Sequence, residues 1–226
     1  MGSGRADRQL DVYRLGRIDY AAALAIQERL VEARIESRIE DTLLILEHDP
    51  VITLGAGGKP EHLLGDRAVL DARGIGLFAC GRGGDATYHG PGQLVVYPII
   101  ALAPRERDVR RYVWKLEEVM VRMAVVCGLA AKRIEGLRGV WIEERKLGAV
   151  GVRIRRWVTL HGLALNVNTD LDAFQLIVPC GIRDRGVTSL ERELGRRVDM
   201  EEVSSLCVET FSRLFERRPR HCHGYP

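Results

Sequence analysis

The sequence predicts an α+β fold, in which helices pack on a mixed, largely antiparallel sheet. Three helical patterns lie near the start, the middle and the end of the 226-residue chain, and short β-rich runs fill the intervals between them. Strands and helices do not alternate as they would in a parallel βαβ fold. Apolar residues make up 46% and charged residues 29%, a balance typical of a globular protein. We therefore expect one compact domain over residues 1–226, with the part from about residue 183 as a candidate for a small helical subdomain.

The helices are predicted from their N-caps and their apolar periodicity. Asp19 is the expected N-cap of a first helix that ends near Ser37. Asp108 is the expected N-cap of a second helix, in which apolar side chains recur at three- and four-residue steps. Asp199, followed three residues later by Glu202, resembles a capping box and opens the last helix. The segment "SLERELG" predicts a shorter helix before it.

The strands are predicted from short runs rich in aliphatic residues. These runs cover residues 10–15, 42–48, 49–55, 74–80, 93–100, 139–144, 146–156 and 158–167. The last three lie so close together that they predict an antiparallel meander, with a hairpin around residues 155–157. A further run, residues 172–182, ends in a Pro-Cys-Gly turn.

The cysteines are widely scattered and form no CxxC pair; they are Cys80, Cys127, Cys180, Cys207 and Cys222. An odd, scattered set argues against a disulfide framework and a zinc site, and it favours the reducing cytoplasm. Cys127 and Cys207 fall on predicted apolar helix faces and Cys80 at a strand end, where cysteine usually acts as an inert apolar residue. Cys222 falls in the tail "HCHGYP", which we expect to be disordered.

Composition also limits the partners. The net charge of +3 is too small to indicate nucleic acid. The apolar runs are too short to cross a bilayer, and the N-terminus lacks the apolar segment of a signal peptide. We therefore expect no nucleic acid and no membrane among the partners. We expect no metal and no cofactor either.

The segment "RGGDATYHGPGQ", residues 82–93, surrounds three hydrogen-bonding side chains with glycine and proline. It lacks the Lys-Ser/Thr pair of a phosphate-binding loop, and a strand follows it where a dinucleotide motif requires a helix. One interpretation is a glycine-rich hairpin connection. The other is that backbone N–H groups line a pocket in which Thr87, Tyr88 and His89 hold a ligand, because polar loops this rich in glycine often carry function.

Cys180 is the cysteine whose setting indicates chemistry. The preceding proline fixes the approach of the chain and the following glycine permits a sharp departure, so the sulfur is presented at a turn. A reactive cysteine needs a base or a cation nearby. His89 and His161 are candidates for this group. Lys146, one of only four lysines in the chain, is a third.

Two glycines in the predicted hairpin indicate a ligand slot. Gly151 and Gly162 lie close to each other across it, and glycine weakens a strand unless something approaches the backbone closely. We therefore expect a slot for a slender apolar ligand. We also expect valine at either position to fill the slot at little cost to the sheet, because β-branched residues suit strands.

Three separated segments, in the same order, resemble the octanoyltransferase (lipoate–protein ligase B) family: "RGGDATYHGPGQLVVYPI", "KLGAVGVRIRRWVTLHGLALNV", and "PCGI" followed by "VTSL". The resemblance extends from about residue 42 to 195. Asp85-Ala86 departs from the family pattern, which has an amide or small polar residue followed by a β-branched one. The resemblance implies the fold of the catalytic domains of biotin and lipoate protein ligases. It also implies transfer of an octanoyl group from acyl carrier protein to a lysine of a lipoyl domain.

The resemblance further implies roles for individual residues. Cys180 matches the cysteine that becomes acylated, and Lys146 matches the lysine that lowers the pKa of that thiol and moves protons. The residues that match substrate-contacting stretches are Arg82, Gly83, Gly84, Asp85, Ala86, Thr87, Tyr88, His89, Ala149, Val150, Gly151, Gly162, Leu163 and Ala164. The implied donor is octanoyl acyl carrier protein. The implied acceptors are lipoyl domains of 2-oxoacid dehydrogenase complexes and the glycine cleavage H protein.

Two other functions stay open. An ATP-dependent lipoate–protein ligase has the same fold but needs no nucleophilic cysteine, so Cys180 counts against it. A non-catalytic acyl-binding scaffold would need the slot but could lack the Cys180–Lys146 pair. The presence of both residues therefore favours an enzyme.

Overall fold

The computed structural model describes residues 8–182 and 185–226, and of Cys180 it describes the backbone. The strands are β1 (Arg8–Ile18), β2 (Asp41–His48), β3 (Val51–Leu54), β4 (Gly76–Ala79), β5 (Ala86–His89), β6 (Gln93–Ile99), β7 (Lys132–Ile134), β8 (Leu137–Ile142), β9 (Arg145–Arg155), β10 (Val158–Asn166), β11 (Gly186–Val187) and β12 (Arg217–Cys222). The helices are α1 (Tyr20–Ile35), α2 (Arg67–Ala72), α3 (Val109–Val126), α4 (Leu190–Leu194) and α5 (Met200–Phe215). Short 3₁₀ turns lie at Pro60–His62, Pro104–Glu106, Asp172–Leu176 and Pro179–Gly181.

The described strands form a nine-stranded mixed sheet and a separate three-stranded sheet. The large sheet has the order β12-β1-β2-β6-β10-β9-β8-β7, and β11 pairs with β9. β1 runs parallel to β12 and β2, and β11 runs parallel to β9, while the strands from β2 to β7 along this order are antiparallel. The predicted fold class is confirmed. The predicted meander is also confirmed and consists of β8, β9 and β10.

Alternate side chains of the central strands supply two apolar cores, because successive side chains of a strand point to opposite faces. On β6, Leu94 and Val96 belong to the core that includes α3 and α5. Val95 and Tyr97 belong to the core that includes α1. Burial on both faces explains why the sequence of β6 is apolar at nearly every position.

The predicted N-caps of the long helices are confirmed. Asp19, Asp108 and Asp199 each accept hydrogen bonds from backbone N–H groups of the first turn, at 2.7–3.1 Å. These bonds satisfy donors that a helix leaves without a partner at its N-terminus. Within the described residues, no helix has both the length and the apolar character needed to cross a membrane.

The three-stranded sheet, β4-β3-β5, carries the glycine-rich segment. Residues 86–89, predicted as part of a loop, form strand β5 and pair antiparallel with β3. The loop prediction was wrong here because the surrounding glycines conceal a strand of only four residues. Pairing with β3 fixes the backbone of these four residues.

The C-terminal tail corrects another expectation. His221 and Cys222, the first two residues of the tail, are not disordered but belong to the edge strand β12 (Arg217–Cys222), which runs parallel to β1. Two ion pairs hold this strand: Arg217 contacts Asp41 at 2.8 Å, and Arg220 contacts Asp11 at 2.7 Å. Both carboxylates lie far away in the sequence, so no local pattern indicated the strand.

The run of residues 172–182 forms two 3₁₀ turns and a single bridge between Ile177 and Leu63. Proline has no N–H group and interrupts a strand ladder, which explains why the apolar run does not continue as a strand through Pro179. The chain therefore enters the Cys180 turn from a short, irregular segment.

Candidate active site

A narrow cavity of about 40 Å³, here called the slot, lies where the glycine-rich segment meets the β9–β10 hairpin and α1. Most of the predicted substrate-binding residues line it: Arg82, Gly84, Asp85, Thr87, His89, Ala149, Val150, Gly151, Gly162, Leu163 and Ala164. Tyr20, Tyr97 and His161 complete its walls. The structure thus brings together residues from two distant segments that the sequence singled out separately.

Three predicted substrate-binding residues lie outside the slot lining. Ala86 and Tyr88 face a third apolar cluster, where the Tyr88 ring packs edge-on against Phe174 with centroids 5.5 Å apart. The backbone N–H of Gly83 donates to the carbonyl oxygen of Val152 at 2.9 Å. These three residues hold the glycine-rich segment against the surrounding structure. The alternate side chains of β5, Thr87 and His89, face the slot.

Arg82 is a buried cation held by neutral acceptors. Its Nη2 donates to the carbonyl oxygens of Thr53 and Asp85 and to the hydroxyl of Thr53, each at 2.8 Å. Among the described residues, no carboxylate forms an ion pair with it. A buried charge requires such hydrogen bonds, so the guanidinium is fixed in place and its charge acts on the slot.

His89 and His161 lie inside the slot and are uncharged at neutral pH. Burial lowers the pKa of His89 well below its ordinary value, and His48 and Arg82 lower it further. Burial lowers the pKa of His161 to about 4, and the Arg82 charge acts in the same direction. Nδ1 of His89 lies 2.7 Å from the amide oxygen of Gln93, which can only accept, so Nδ1 donates. Neither histidine therefore supplies a cation for a thiolate.

Part of the slot wall is aromatic and carries no charge. The hydroxyl of Tyr97 lies 2.7 Å from Nε2 of His48, whose Nδ1 donates to the carbonyl oxygen of Ile18 at 2.9 Å. With Nδ1 as the donor, Nε2 of the neutral ring accepts from the tyrosine hydroxyl. Burial raises the pKa of both Tyr97 and Tyr20, which keeps these phenols protonated.

The sequence did not identify Tyr20 and Tyr97 as slot residues. Tyr20 is the first residue of α1, and Tyr97 lies within the apolar run of β6. No local pattern marks either position. Tyr20 reaches the slot because α1 packs across β6 and β10. Tyr97 reaches it because β6 pairs with β10, so both placements are tertiary.

The two hairpin glycines face each other as predicted, but they act differently from the expectation. Gly151 and Gly162 are direct partners across β9 and β10. A Cβ atom on Gly162 would lie 2.2 Å from the carbonyl oxygen of Val96 on β6, and one on Gly151 would lie 2.9 Å from the carbonyl oxygen of Gly83. The expectation that valine would cost the sheet little was wrong, because these glycines let protein backbone approach closely.

Lys146 lies on β9 and pairs with Trp141 on β8. Its Nζ is 4.8 Å from the centroid of the Trp141 ring, a cation–π contact. Lys146 is only 6% exposed, and among the described residues its Nζ has no hydrogen-bond partner. The donors of this buried amine are therefore available to another group.

The chain that follows the Cys180 turn returns to Lys146. Val187 pairs in parallel with Lys146, and the N–H of Thr188 donates to the carbonyl oxygen of Lys146 at 2.9 Å. Only a short stretch of sequence separates Cys180 from this pairing. The backbone connections thus bring the two residues of the predicted pair to one region of the molecule.

The backbone of Cys180 lies in the 3₁₀ turn Pro179–Gly181, which confirms the predicted turn, and its side chain lies outside the part of the chain that the structure describes. Gly181 has a φ of +73°, a conformation that favours glycine. The N–H of Gly181 donates to the carbonyl oxygen of Val178 at 3.1 Å. The N–H of Ile182 donates to the carbonyl oxygen of Pro179 at 3.0 Å. These two N–H groups are engaged within the turn.

Asp85 connects the slot with the Cys180 turn. It lines the slot, and its Oδ2 lies 3.2 Å from the position that a Cβ atom would take on Gly181. The same oxygen lies 2.5 Å from Nδ1 of His62. The sequence did not indicate His62, because the segment around it carries no motif. The slot and the cysteine turn therefore meet at the His62–Asp85 pair.

Solved structures that share this fold include lipoate and biotin protein ligases. A chain from an archaeal lipoylation system of Thermoplasma acidophilum, described as a bipartite lipoate protein ligase and its E2 lipoyl domain, matches with a TM-score of 0.74 and 21% identity. The match covers 96% of this chain and 89% of that chain. A biotin protein ligase from Aquifex aeolicus matches with a TM-score of 0.52 and 16% identity, covering 92% of this chain and 69% of that one. The fold class is thus the lipoate and biotin protein ligase fold.

Sequence comparison gives the family. The model of the lipoyl protein ligase A/B catalytic domain matches residues 19–212. A protein of Chloroflexus aggregans named octanoyltransferase is 49% identical, over 94% of this chain and 97% of its own length. The chain belongs to the lipoyl protein ligase A/B catalytic domain family.

Proposed function

We propose that this chain is an octanoyltransferase that forms a thioester on Cys180. The donor is octanoyl acyl carrier protein. The acceptors are lysines of lipoyl domains, including those of 2-oxoacid dehydrogenase complexes and the glycine cleavage H protein. The scattered cysteines favour the reducing cytoplasm as the site of this reaction.

The observation that carries the proposal is the position of Asp85 between the slot and the Cys180 turn. Because this residue lines the slot and its carboxylate lies against Gly181, a chain held in the slot has one end next to the turn. The identity to a relative named octanoyltransferase supports the same conclusion. An apolar chain with one reactive carbonyl is the ligand that fits this arrangement.

The slot is a narrow cavity of about 40 Å³. The uncharged histidines and protonated tyrosines suit an apolar chain, since they place no charge against it. Arg82 is part of this lining, and its positive charge can attract the carbonyl oxygen.

In the first half-reaction, the Cys180 thiolate attacks the carbonyl carbon of the donor thioester. A new C–S bond forms, the old C–S bond breaks, and the departing thiolate takes a proton from Lys146 to leave as a thiol. Before this step the lysine cation favours the thiolate by Coulomb attraction. This role is supported by the burial of Lys146 and by the lack of a hydrogen-bond partner for its Nζ among the described residues.

In the second half-reaction, an acceptor lysine attacks the Cys180 thioester as a free amine. The C–N bond of the amide forms, the C–S bond breaks, and the electron pair returns to the sulfur as a thiolate. Lys146 takes one proton from the attacking nitrogen and becomes a cation again. The enzyme thereby returns to its starting state, which is the signature of a two-step transfer through a covalent intermediate.

An assay with and without ATP tests the proposal against an ATP-dependent lipoate ligase. Purified protein is mixed with octanoyl acyl carrier protein and a lipoyl domain, and the mass of the lipoyl domain is then measured by mass spectrometry. We expect an octanoylated lipoyl domain without ATP, and no AMP when ATP is present. Modification that requires ATP and releases AMP would establish the ligase instead. No modification under either condition would favour the acyl-binding scaffold.

A further inference from the structure

His62 and Asp85 form a hydrogen-bonded pair at the edge of the proposed active site. Nδ1 of His62 lies 2.5 Å from Oδ2 of Asp85, and each side chain is 13% exposed. The other carboxylate oxygen of Asp85 accepts a hydrogen bond from the backbone N–H of Ala86 at 2.7 Å. The carboxylate is therefore fixed at both oxygens and holds the imidazole ring in one orientation.

The pairing also decides which nitrogen of His62 can accept a proton. A carboxylate only accepts hydrogen bonds, so Nδ1 carries the proton in the neutral ring and Nε2 carries the lone pair. Among the described residues, Nε2 of His62 has no hydrogen-bond partner. A histidine oriented by a carboxylate, with the other nitrogen free, is the usual arrangement of a base in nucleophilic catalysis.

His62 lies against the residue that follows the cysteine. Cε1 of His62, which is bonded to both ring nitrogens, lies 3.2 Å from the Cβ position of Gly181. Backbone hydrogen bonds also connect the segment around His62 with the segment before the Cys180 turn. The N–H of Val178 donates to the carbonyl oxygen of His62 at 2.8 Å. The N–H groups of Leu64 and Gly65 donate to the carbonyl oxygen of Leu176 at 2.8 and 3.0 Å.

The proton balance of the proposed reaction requires a second acceptor. A lysine side chain has a pKa of about 10.4, so the acceptor arrives as an ammonium ion near neutral pH. It must lose one proton to become nucleophilic and a second proton as the amide forms. Lys146 gave up one proton in the first half-reaction and can take back only one. One proton is left over, and it needs another base.

We propose that His62, oriented by Asp85, is the base that deprotonates the incoming lysine ammonium. The inference rests on the proposed function. Nε2 takes a proton from the ammonium, and the free amine then attacks the thioester carbonyl carbon. The C–N bond forms, the C–S bond breaks towards sulfur, and the second proton passes to Lys146. The imidazolium of His62 finally releases its proton to solvent, which its partly exposed side chain can reach.

Single-turnover kinetics with His62→Asn test this proposal. Asparagine keeps a donor for Asp85 but has no group that titrates. Octanoyl-enzyme is prepared with octanoyl acyl carrier protein, freed of donor, and mixed with lipoyl domain at pH values from about 6.5 to 9.5. We expect transfer by the variant to be about 10²-fold slower at pH 7, the lower end of what a general base contributes. We expect the deficit to shrink as the pH rises, because alkali deprotonates the amine without a base.

The controls separate a proton-transfer role from a structural one. His221→Asn makes the same change on the exposed edge strand β12 and should transfer at the parent rate. The His62 variant should still form octanoyl-enzyme at the parent rate, and melting temperatures verify folding. His62→Gln repeats the test with a different side-chain length and is used if the asparagine variant does not fold.

Three results would overturn the inference. They are transfer by the His62 variants at the parent rate, a deficit that stays the same at every pH, and a defect confined to formation of the octanoyl-enzyme. If the parent itself forms no octanoyl-enzyme on Cys180, the proposed function fails and the inference fails with it. The first three results leave the proposed function standing, so the two failures are distinguishable.

Discussion

Histidines in two neighbouring regions of this molecule have different surroundings. In the slot, burial and the Arg82 charge lower the pKa values of His89 and His161, so both rings are neutral. Beside the cysteine turn, His62 pairs with the carboxylate of Asp85. In our proposal, the slot holds the uncharged acyl chain and the adjoining turn exchanges protons. The variants described next test the role of the slot and the role of the Cys180 turn separately.

The largest effect is expected at the turn. Cys180→Ala should abolish octanoyl transfer, because it removes the proposed nucleophile, and should leave the melting temperature nearly unchanged. Cys207→Ala is a useful contrast, since Cys207 is fully buried and burial raises the pKa of its thiol to about 12. That variant should lose stability but keep its activity per folded molecule. Near-normal transfer by Cys180→Ala would rule out a covalent mechanism.

Lys146 should give the next largest effect. Lys146→Arg keeps the positive charge but cannot release a proton at working pH, so we expect an iodoacetamide-reactive thiol together with transfer about 10²-fold slower. Lys146→Ala should lose both the reactive thiol and the transfer activity. The pH midpoint of its iodoacetamide labelling should move towards the pKa of free cysteine, about 8.5. Labelling rates against pH, measured beside transfer rates, check this. Transfer by the arginine variant at the parent rate would limit Lys146 to a role through charge.

The hairpin glycines should affect stability. Gly162→Ala places Cβ against the Val96 carbonyl of β6, which cannot move without disturbing the sheet, and should cost about 3 kcal/mol. Gly151→Ala meets the carbonyl of Gly83 on the loop and should cost only about 1 kcal/mol, because a loop adjusts more easily. Urea unfolding of both variants measures the difference. Equal costs would contradict our account of the two glycines.

The last prediction concerns acid stability. The pKa of folded His161 is about 4, below the ordinary value of 6.5, so between these pH values the unfolded chain binds a proton that the folded chain does not. Stability therefore rises with pH in this window and is lost as the pH falls, by about 1.4 kcal/mol per unit for this group. His161 has a φ of +56°, which asparagine tolerates. His161→Asn should flatten the decline between pH 6.5 and 5 by about 2 kcal/mol in urea unfolding, and an unchanged slope would contradict the neutral state of His161.

Local features of the fold could be predicted from the sequence. Asp19, Asp108 and Asp199 cap their helices through residues two or three positions away, so their sequence neighbours suffice. The pairing of Gly151 with Gly162 follows from a short hairpin in the same way. The resemblance of three segments to one family added the roles of Cys180 and Lys146, which remain predictions.

Features that depend on distant contacts could not be predicted. His62 reaches the cysteine turn because Leu63 bridges to Ile177, more than a hundred positions further along the chain. Tyr20 reaches the slot through the packing of α1, and β12 forms through ion pairs with residues near the other end of the sequence. In each case the neighbouring residues carry no pattern that indicates the partner. Tertiary contacts therefore complete the site that the motifs only outline.

The central claim is that the octanoyl group passes through Cys180, and mass spectrometry of the enzyme alone tests it most directly. The protein is incubated with octanoyl acyl carrier protein in the absence of any acceptor, weighed intact, and then digested. We predict one added octanoyl group, located on the peptide that contains Cys180 and removed by hydroxylamine as a thioester should be. An unmodified enzyme that still octanoylates a lipoyl domain, or an octanoyl group found only on another residue, would contradict this account.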